Sequence, residues 1–204
     1  MSDHRDKLID LQRRLYARNR RRIQAYEQVI TLGFTEYETA YHNDVTGFER
    51  LASLADLTAA MRESTITLVA DYHTLHLAQK TFLKLARRIK AQRTIIALEF
   101  FASEHQSALD AWLKGRIQDK TLLSRTRYKE RWPYDIWPHF QPIVELAKRR
   151  QWGLVGMDVA RGPNTSISES DVQMAEVLIN QLKGAPANTR VLALVGELHL
   201  ARHH

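Results

Sequence analysis

Four short apolar runs punctuate the last three quarters of the chain, and segments with helical periodicity lie between them. Each run has four or five residues, and several contain β-branched side chains, which is typical of strands buried on both faces. The predicted strands are Ile66–Ala70, Thr94–Leu98, Leu154–Met157 and Val191–Val195. The predicted helices cover about 74–92, 104–124 in one or two pieces, 139–151 and 168–183. This alternation predicts an α/β domain with a mainly parallel sheet flanked by helices, because parallel neighbours need long crossovers.

The beginning of the chain has a different pattern. Residues 5 to about 31 form an amphipathic stripe without proline or glycine, which predicts one long helical arm. The polar stretch after Gly33 predicts a linker, and Phe48–Met61 predicts a second helix. The expected organisation is a basic helical arm and linker over 1–47, followed by an α/β domain over 48–204.

Composition narrows the class of protein. With 204 residues, 44% of them hydrophobic and 26% charged, the chain is expected to be globular. No apolar run approaches the roughly 20 residues of a membrane-spanning helix. The first residues lack the apolar core of a secretory signal, so a cytoplasmic protein is expected. The absence of cysteine excludes disulfides and thiolate ligands, so nitrogen and oxygen must hold any metal ion.

The formal net charge of +7 is concentrated in two places. Arginines crowd the first 22 residues, and a second basic group consists of Lys84, Arg87, Arg88, Lys90 and Arg93. Such patches attract nucleic-acid phosphates or anionic membrane surfaces. Because no nucleic-acid motif accompanies the charge, solvated helix faces are the favoured interpretation.

A carboxylate follows each predicted strand. These carboxylates are Asp71, Glu99, Asp158 and Glu197, and the first and last are followed two residues later by His73 and His199. The two acid-x-His endings occur in VADYHT and VGELHL. Ligands of open parallel sheets bind outside the carboxyl ends of the strands, so these side chains are expected at one edge.

The spacing of each acid and histidine indicates a chemistry. In an extended segment, residues i and i+2 point the same way, so each pair is expected to converge on one ligand. Carboxylate and imidazole groups bind zinc, manganese or iron. The candidate metal ligands are Asp71, His73, Glu99, Glu197 and His199. The alternative is structural: such carboxylates cap helices, and such histidines satisfy backbone carbonyls.

The same groups are also candidates for catalysis. His73, Glu99 and His199 are the candidate catalytic residues, as ligands of a water-activating metal or as a metal-free general base. The chain contains no G-x-S-x-G elbow, phosphate-binding glycine loop or H-E-x-x-H motif, which disfavours the common serine hydrolases, nucleotide-binding enzymes and zinc proteases.

The segment RTRYKERWPYDIWPHFQP, residues 125–142, combines aromatic, basic and proline residues. Flat aromatic surfaces suit an apolar ligand, and arginines suit carboxylates or phosphates, so the segment is a candidate pocket wall. The candidate ligand-binding residues are Arg127, Tyr128, Arg131, Trp132 and Tyr134. Equally, these aromatic side chains would simply fill space over the sheet.

The order of these segments resembles the ChaN-like haem-binding uptake domains of the wider Tiki/TraB and erythromycin-esterase superfamily. The similarity spans about residues 50–201 and is carried by VADYHTLHLAQ, IIALEFF, the 125–142 segment and LALVGELHLA. The family pattern has a G-x-x-H after the first strand, a glutamate after the second, and a late second G-x-x-H. Here these correspond to Ala70–His73, Glu99 and Gly196–His199.

The resemblance implies a site at the strand ends that holds haem or a divalent metal ion (iron, manganese or zinc). For haem, a histidine or tyrosine would bind the iron and arginines would meet the propionates. More distant relatives are hydrolases, so a metal-dependent or His/Glu-based hydrolase of esters or peptides is the alternative.

A second alternative is a non-catalytic interaction protein with a decayed site, which is favoured by Ala70, the short C-terminus and the basic N-terminal arm. The sequence departs from the family pattern in three respects. Ala70 replaces the first motif's glycine, the exported-lipoprotein features of many ChaN-like proteins are missing, and the chain ends five residues after His199. That short ending is compatible with C-terminal truncation. A homo-oligomer, and binding of nucleic acid or an anionic membrane through the basic arm, are left open.

Overall fold

A computed structural model describes residues 7, 9–18, 52–73, 75–90, 93–132, 135–159 and 166–200. The chain divides into two units between Gly47 and Phe48, which are described separately. In the first unit, residues 9–18 are helical, and Arg14 Nε donates to Asp10 Oδ2 at 2.9 Å across one turn. The rest of the predicted arm and linker lies outside the described residues.

The second unit is built on a parallel sheet. Its strands are β1 (Ile66–Asp71), β2 (Thr94–Ala102), β3 (Gly153–Asp158) and β4 (Arg190–Gly196). In the described part of the chain all pairings are parallel and the strand order is β1-β4-β2-β3. All four predicted strands are present, so the predicted α/β fold is confirmed.

Helices connect these strands. They are α1 (Leu54–Glu63), α2 (His76–Ala86), α3 (Gln106–Leu113), α4 (Asp119–Arg125), α5 (Tyr128–Arg131), α6 (Trp137–Arg149) and α7 (Ile167–Lys183). The predicted helix 104–124 is two helices, because Gly115 has a left-handed φ of 70° after α3. None of the described helices has the length and apolar content needed to cross a bilayer.

Alternate residues of the central strands enter two separate cores. Ile96 and Leu98 of β2 belong to the larger core, together with Phe82 of α2 and Phe140 of α6. Ala97, between them, belongs to the smaller core, which α7 covers. The period of two along a strand explains this division, and burial on both faces explains why the strands are apolar runs.

The start of α7 is fixed by a capping box. Ser166 Oγ accepts from the backbone N–H of Glu169 at 3.1 Å, and Glu169 Oε2 accepts from the backbone N–H of Ser166 at 2.8 Å. The two bonds satisfy donors that a helix start otherwise leaves without partners. This anchors the first turns of α7, which contribute a side chain to the site described below.

Strand β2 contains an irregularity at Glu99. Leu98 lies opposite Gly156 and Ala102 lies opposite Asp158, so four steps along β2 match two steps along β3. The sequence predicted that Glu99 follows the strand, but β2 continues through this bulge to Ala102. Bulges redirect side chains at sheet edges and beside functional sites, and here the bulge sets the direction of Glu99.

Gly156 makes room for the bulge. A Cβ at this position would lie 2.8 Å from the carbonyl oxygen of Ala102 and 2.9 Å from that of Phe101, both of which are backbone atoms. The side chain of Gln106 holds the same part of β3, accepting from Gly156 N–H at 3.1 Å and donating to Leu154 O at 2.7 Å.

Gly156→Ala is therefore expected to lower the free energy of unfolding by about 1–3 kcal/mol, because a methyl group would displace the bulged backbone. Gly184→Ala is the matched control, since a Cβ there meets nothing within 4 Å and φ is −98°. Its effect should stay within about 0.5 kcal/mol. Urea unfolding followed by circular dichroism measures both, and equal losses would contradict the role of Gly156.

Candidate functional site

The strand order brings residues from distant parts of the sequence to one edge. β4 comes last in the chain but lies between β1 and β2, and its final residue, Gly196, is paired with Asp71 of β1. Glu99 approaches Gly196 from β2 on the other side. The two acid-x-His segments therefore meet around the end of β4, as their positions after parallel strands predicted.

Asp71 and His73 form one histidine–carboxylate pair. His73 Nδ1 lies 2.8 Å from Asp71 Oδ2, and Asp71 is only 1% exposed. Gln79 of α2 donates its side-chain amide to the other oxygen, Oδ1. In the tautomer in which Nδ1–H donates to Asp71, Nε2 of the neutral ring is an acceptor.

The pKa of His73 reflects this pairing. Burial alone would lower the pKa, but the hydrogen bond and the negative charge of Asp71 raise it above its ordinary value, with smaller contributions from Glu99 and Glu197. The side chain is 29% exposed, so solvent can reach this ring.

His199 forms the second pair, with two carboxylates. Its Nε2 lies 3.2 Å from Glu99 Oε1, and its Nδ1 lies 2.5 Å from Oδ1 of Asp171 on α7. Burial lowers the pKa of His199, but these two carboxylates raise it overall. With a side chain 6% exposed, this ring links β2 to α7.

The expected pairing of Glu197 with His199 is wrong. Residues Glu197–Leu200 form a 3₁₀ helix rather than an extended segment, so side chains two positions apart point in different directions. Glu197 is half-buried, and burial raises its pKa, with His73 acting in the opposite direction.

Glu99 is a buried carboxylate that stays ionised. Oε2 accepts from the backbone N–H of Gly196 at 2.5 Å, and the residue is 6% exposed. Burial would raise the pKa of Glu99, but the hydrogen bonds from His199 and Gly196 and the charges of both histidines lower it to about 2.

Gly196 marks the point on which these groups converge. A Cβ there would lie 3.3 Å from Glu99 Oε2, 3.5 Å from His199 Cδ2 and 3.6 Å from His73 Nε2. The missing side chain leaves space above the Gly196 α-carbon, with a carboxylate and two imidazoles around it. Only the 3.3 Å approach to the Glu99 carboxylate is closer than an ordinary van der Waals contact, so a Cβ here would require a small shift of that side chain.

Four of the five candidate metal ligands contact one another in pairs, Asp71 with His73 and Glu99 with His199. Among the described residues, no group of three or more histidine, aspartate or glutamate side chains is arranged to hold a metal ion. The nitrogen and oxygen atoms that a metal would need instead form the Asp71–His73 and Asp171–His199–Glu99 contacts.

Trp132, one of the residues predicted to form the pocket wall, lies against His73. The two rings make an edge contact with centroids 4.7 Å apart. On the sheet, Trp132 stacks on Phe100 at 5.5 Å with an interplanar angle of 11°, and its Nε1–H donates to Phe100 O at 3.2 Å. The bulge residues of β2 therefore position both Glu99 and this aromatic wall.

Two of the predicted ligand-binding residues use their polar atoms in contacts within the protein. The Tyr128 hydroxyl accepts from the backbone N–H groups of Ile136 and Trp137 at 2.8 and 2.9 Å, which fixes the start of α6. Arg131 forms an ion pair with Asp158 at the end of β3.

Arg127 is exposed, has a left-handed φ of 52° and donates to Glu130 at 2.7 Å. Tyr134 lies outside the described residues. Trp132 also lines a groove of about 930 Å³, whose charged lining residues are Lys120, Arg127, Lys129, Glu130 and Asp135. That volume is within the range of small-molecule sites.

Sequence reasoning missed Gln79 and Asp171. Gln79 is buried and lies three residues before the core residue Phe82. A polar residue on the apolar face of a predicted helix is a sign of a buried polar contact, and this sign was present in the sequence. Asp171 had no such signal, because it depends on where α7 crosses the sheet.

The sequence profile described as haem-binding uptake, Tiki superfamily, ChaN matches residues 57–172, which is more than half of the chain. The chain therefore belongs to the ChaN family of the Tiki superfamily. The match includes Asp71, His73 and Glu99 but ends before β4 and its glycine–histidine motif. No curated protein matches the sequence.

Solved structures with the same fold include toxins and a ChaN protein. A bacterial protein toxin matches with a TM-score of 0.57 and 14% identity over 89% of this chain and 37% of that chain. RRSP, a MARTX toxin effector domain from Vibrio vulnificus CMCP6, has a TM-score of 0.52 and 16% identity over 87% and 36%. ChaN of Campylobacter jejuni, described by its cofacial haem binding, has a TM-score of 0.50 and 14% identity over 79% and 83%. At these identities the likeness shows the fold, and the chain spans little more than a third of the toxins.

The lowered pKa of Glu99 predicts an acid-dependent loss of stability. The ionised Glu99 stabilises the folded chain at pH values above its ordinary pKa of 4.5. This stabilisation is lost as the pH falls from 4.5 towards 2, because the unfolded chain takes up the proton first. The loss should reach up to about 3 kcal/mol.

Glu99→Gln should flatten this decline, whereas Glu176→Gln, at an exposed position of α7, should leave it unchanged. Urea unfolding at a series of pH values, followed by tryptophan fluorescence, gives the profiles. Parallel profiles for wild type and Glu99→Gln would contradict the assignment.

Proposed function

We propose that this edge of the sheet binds haem, with Nε2 of His73 as the ligand to the iron. The observation that carries the proposal is the hydrogen bond between His73 Nδ1 and the buried Asp71. Histidines that bind metals usually donate their other ring N–H to a carboxylate or carbonyl, which fixes the ring and its tautomer. Gln79 holds Asp71 in turn.

The surroundings of His73 also suit haem. Trp132 lies beside the His73 ring and also lines the groove, in which Lys120 and Lys129 suit the propionates, while Arg127 is paired with Glu130. Bound haem supplies an iron centre whose behaviour follows from its axial ligand and the polarity of the pocket. Membership of the ChaN family, and the likeness to a ChaN whose structure is described by haem binding, support the proposal.

His199 has a different role in this proposal. Both of its nitrogens face carboxylates, so it orients Glu99 and stabilises the ionised form of that carboxylate rather than binding the ligand. Glu99 then keeps negative charge beside His73, which favours an electron-rich imidazole.

Haemin titration followed at the Soret band tests the assignment. Wild type is expected to bind haemin at micromolar concentration, and His73→Ala is expected to weaken binding by about tenfold or more and to shift the band. The control is His76→Ala, one turn further along, because His76 is exposed and contacts the His139 ring at 5.5 Å. Wild-type affinity in His73→Ala would exclude His73 as the ligand.

A metal-free hydrolase is the second candidate, because His73 Nε2 and Glu99 Oε2 face the same space above Gly196. Asp71 would orient His73 as a general base, as the carboxylate of a catalytic triad does. Esters and peptides are the substrate classes to test.

In this case His73→Gln should lower kcat/KM by about 100-fold or more with fold and stability retained. p-Nitrophenyl ester hydrolysis in the presence of a chelator measures it, with His76→Gln as the control. If wild type is inactive, or if His73→Gln retains the full rate, the hydrolase candidate fails.

A further inference from the structure

A second concave region lies at the amino edge of the sheet, opposite the histidine–carboxylate site. It consists of two adjoining depressions of about 710 and 250 Å³, which share Arg62, Arg88 and Lys90. We call the two together the basic groove. Its basic residues are Arg62, Arg87, Arg88, Lys90, Arg150 and Arg190. They come from α1, the segment after α2, the end of α6 and the first residue of β4.

These cations have no acidic partner in the described part of the chain. Among the described residues, no acidic side chain lines the groove and none of the six cations forms an ion pair. The contacts that hold them go to backbone carbonyls: Arg190 donates to Ser64 O at 2.9 Å, and Arg88 donates to Lys84 O at 3.0 Å. A guanidinium held by one N–H keeps further donors for a ligand.

The negative ends of helix dipoles balance only part of this positive charge. Three helices, α1, α2 and α6, end at the groove, since Arg62 is in the last turn of α1 and Arg87 and Arg150 follow the other two. Each helix end carries about half a negative charge, so the three together offset roughly 1.5 of the six positive charges. A surplus of about 4.5 positive charges remains.

We propose that the basic groove binds a compact, multiply charged phosphate ligand. Its larger depression has the volume of a small-molecule site, and cations from four parts of the chain surround one concavity rather than following a line. Arginine binds phosphate oxygens through paired N–H groups. Among the groove residues that the structure describes, none is aromatic and able to stack on nucleic-acid bases, and Leu54, Met61 and Ile89 form the apolar walls.

Calorimetric titration of the full chain with inorganic triphosphate, at about 0.15 M salt, tests this proposal. One site with micromolar affinity is expected. The triple variant Arg62→Gln/Arg88→Gln/Lys90→Gln should weaken binding by about 30-fold or more, because it removes the shared cations of the groove. All three side chains are exposed, so the fold should persist, which circular dichroism checks.

The control, Arg116→Gln/Arg125→Gln/Lys183→Gln, removes the same net charge from exposed positions outside the groove. It should change the affinity by less than about threefold. Equal weakening in both triple variants, or no binding of triphosphate to wild type, would overturn the proposal.

Two further titrations use phosphatidylserine vesicles and duplex DNA in place of triphosphate. If either binds through the groove residues while triphosphate does not, the ligand is an extended anionic surface and the proposal of a compact ligand is wrong. Haemin affinity should be the same in wild type and both triple variants, since the haem proposal concerns the opposite edge of the sheet.

Discussion

The hydrogen bond from the Gly196 N–H to the buried carboxylate of Glu99 is the contact around which the site is organised. A buried ionised carboxylate costs several kcal/mol unless hydrogen bonds and opposite charges compensate it. The compensation comes from three directions: the backbone of β4, the His199 ring and the charge of His73. These contacts require that the bulge of β2 turns Glu99 towards β4, and the bulge in turn requires that Gly156 leaves room for it.

The two histidines are similar in sequence but not in their surroundings. His199 is almost fully buried and has a carboxylate at each nitrogen, so both nitrogens are used in linking Glu99 to Asp171 of α7. His73 is 29% exposed and has one carboxylate, at Nδ1, while Nε2 faces the space above Gly196. This difference explains why ligand binding is assigned to His73, and why loss of His199 would act mainly through stability and the charge of Glu99.

Sequence patterns predicted the strands because strands buried on both faces are necessarily apolar runs. Parallel topology then predicted that the carboxylates after them, Asp71, Glu99, Asp158 and Glu197, lie at one edge. Sequence patterns could not predict that β4 inserts between β1 and β2, that Glu99 lies in a bulge, or that Glu197 begins a 3₁₀ helix, since these depend on long-range packing. The same limit applies to Tyr128 and Arg131. Their residue types suit ligand binding, but their polar atoms contact the start of α6 and Asp158, and only coordinates reveal such partners.

The two edges of the sheet differ in how their charges are balanced. At the carboxyl edge, the buried carboxylates of Asp71 and Glu99 each contact a histidine directly, and Nε2 of His73 is left for a ligand. At the amino edge, the helix ends offset only part of the cationic charge, and no carboxylate among the described residues completes the balance. Like charges held close together destabilise the folded chain. A bound polyanion would relieve that repulsion, so the amino edge gains stability from a ligand that the carboxyl edge does not need for its own charge balance.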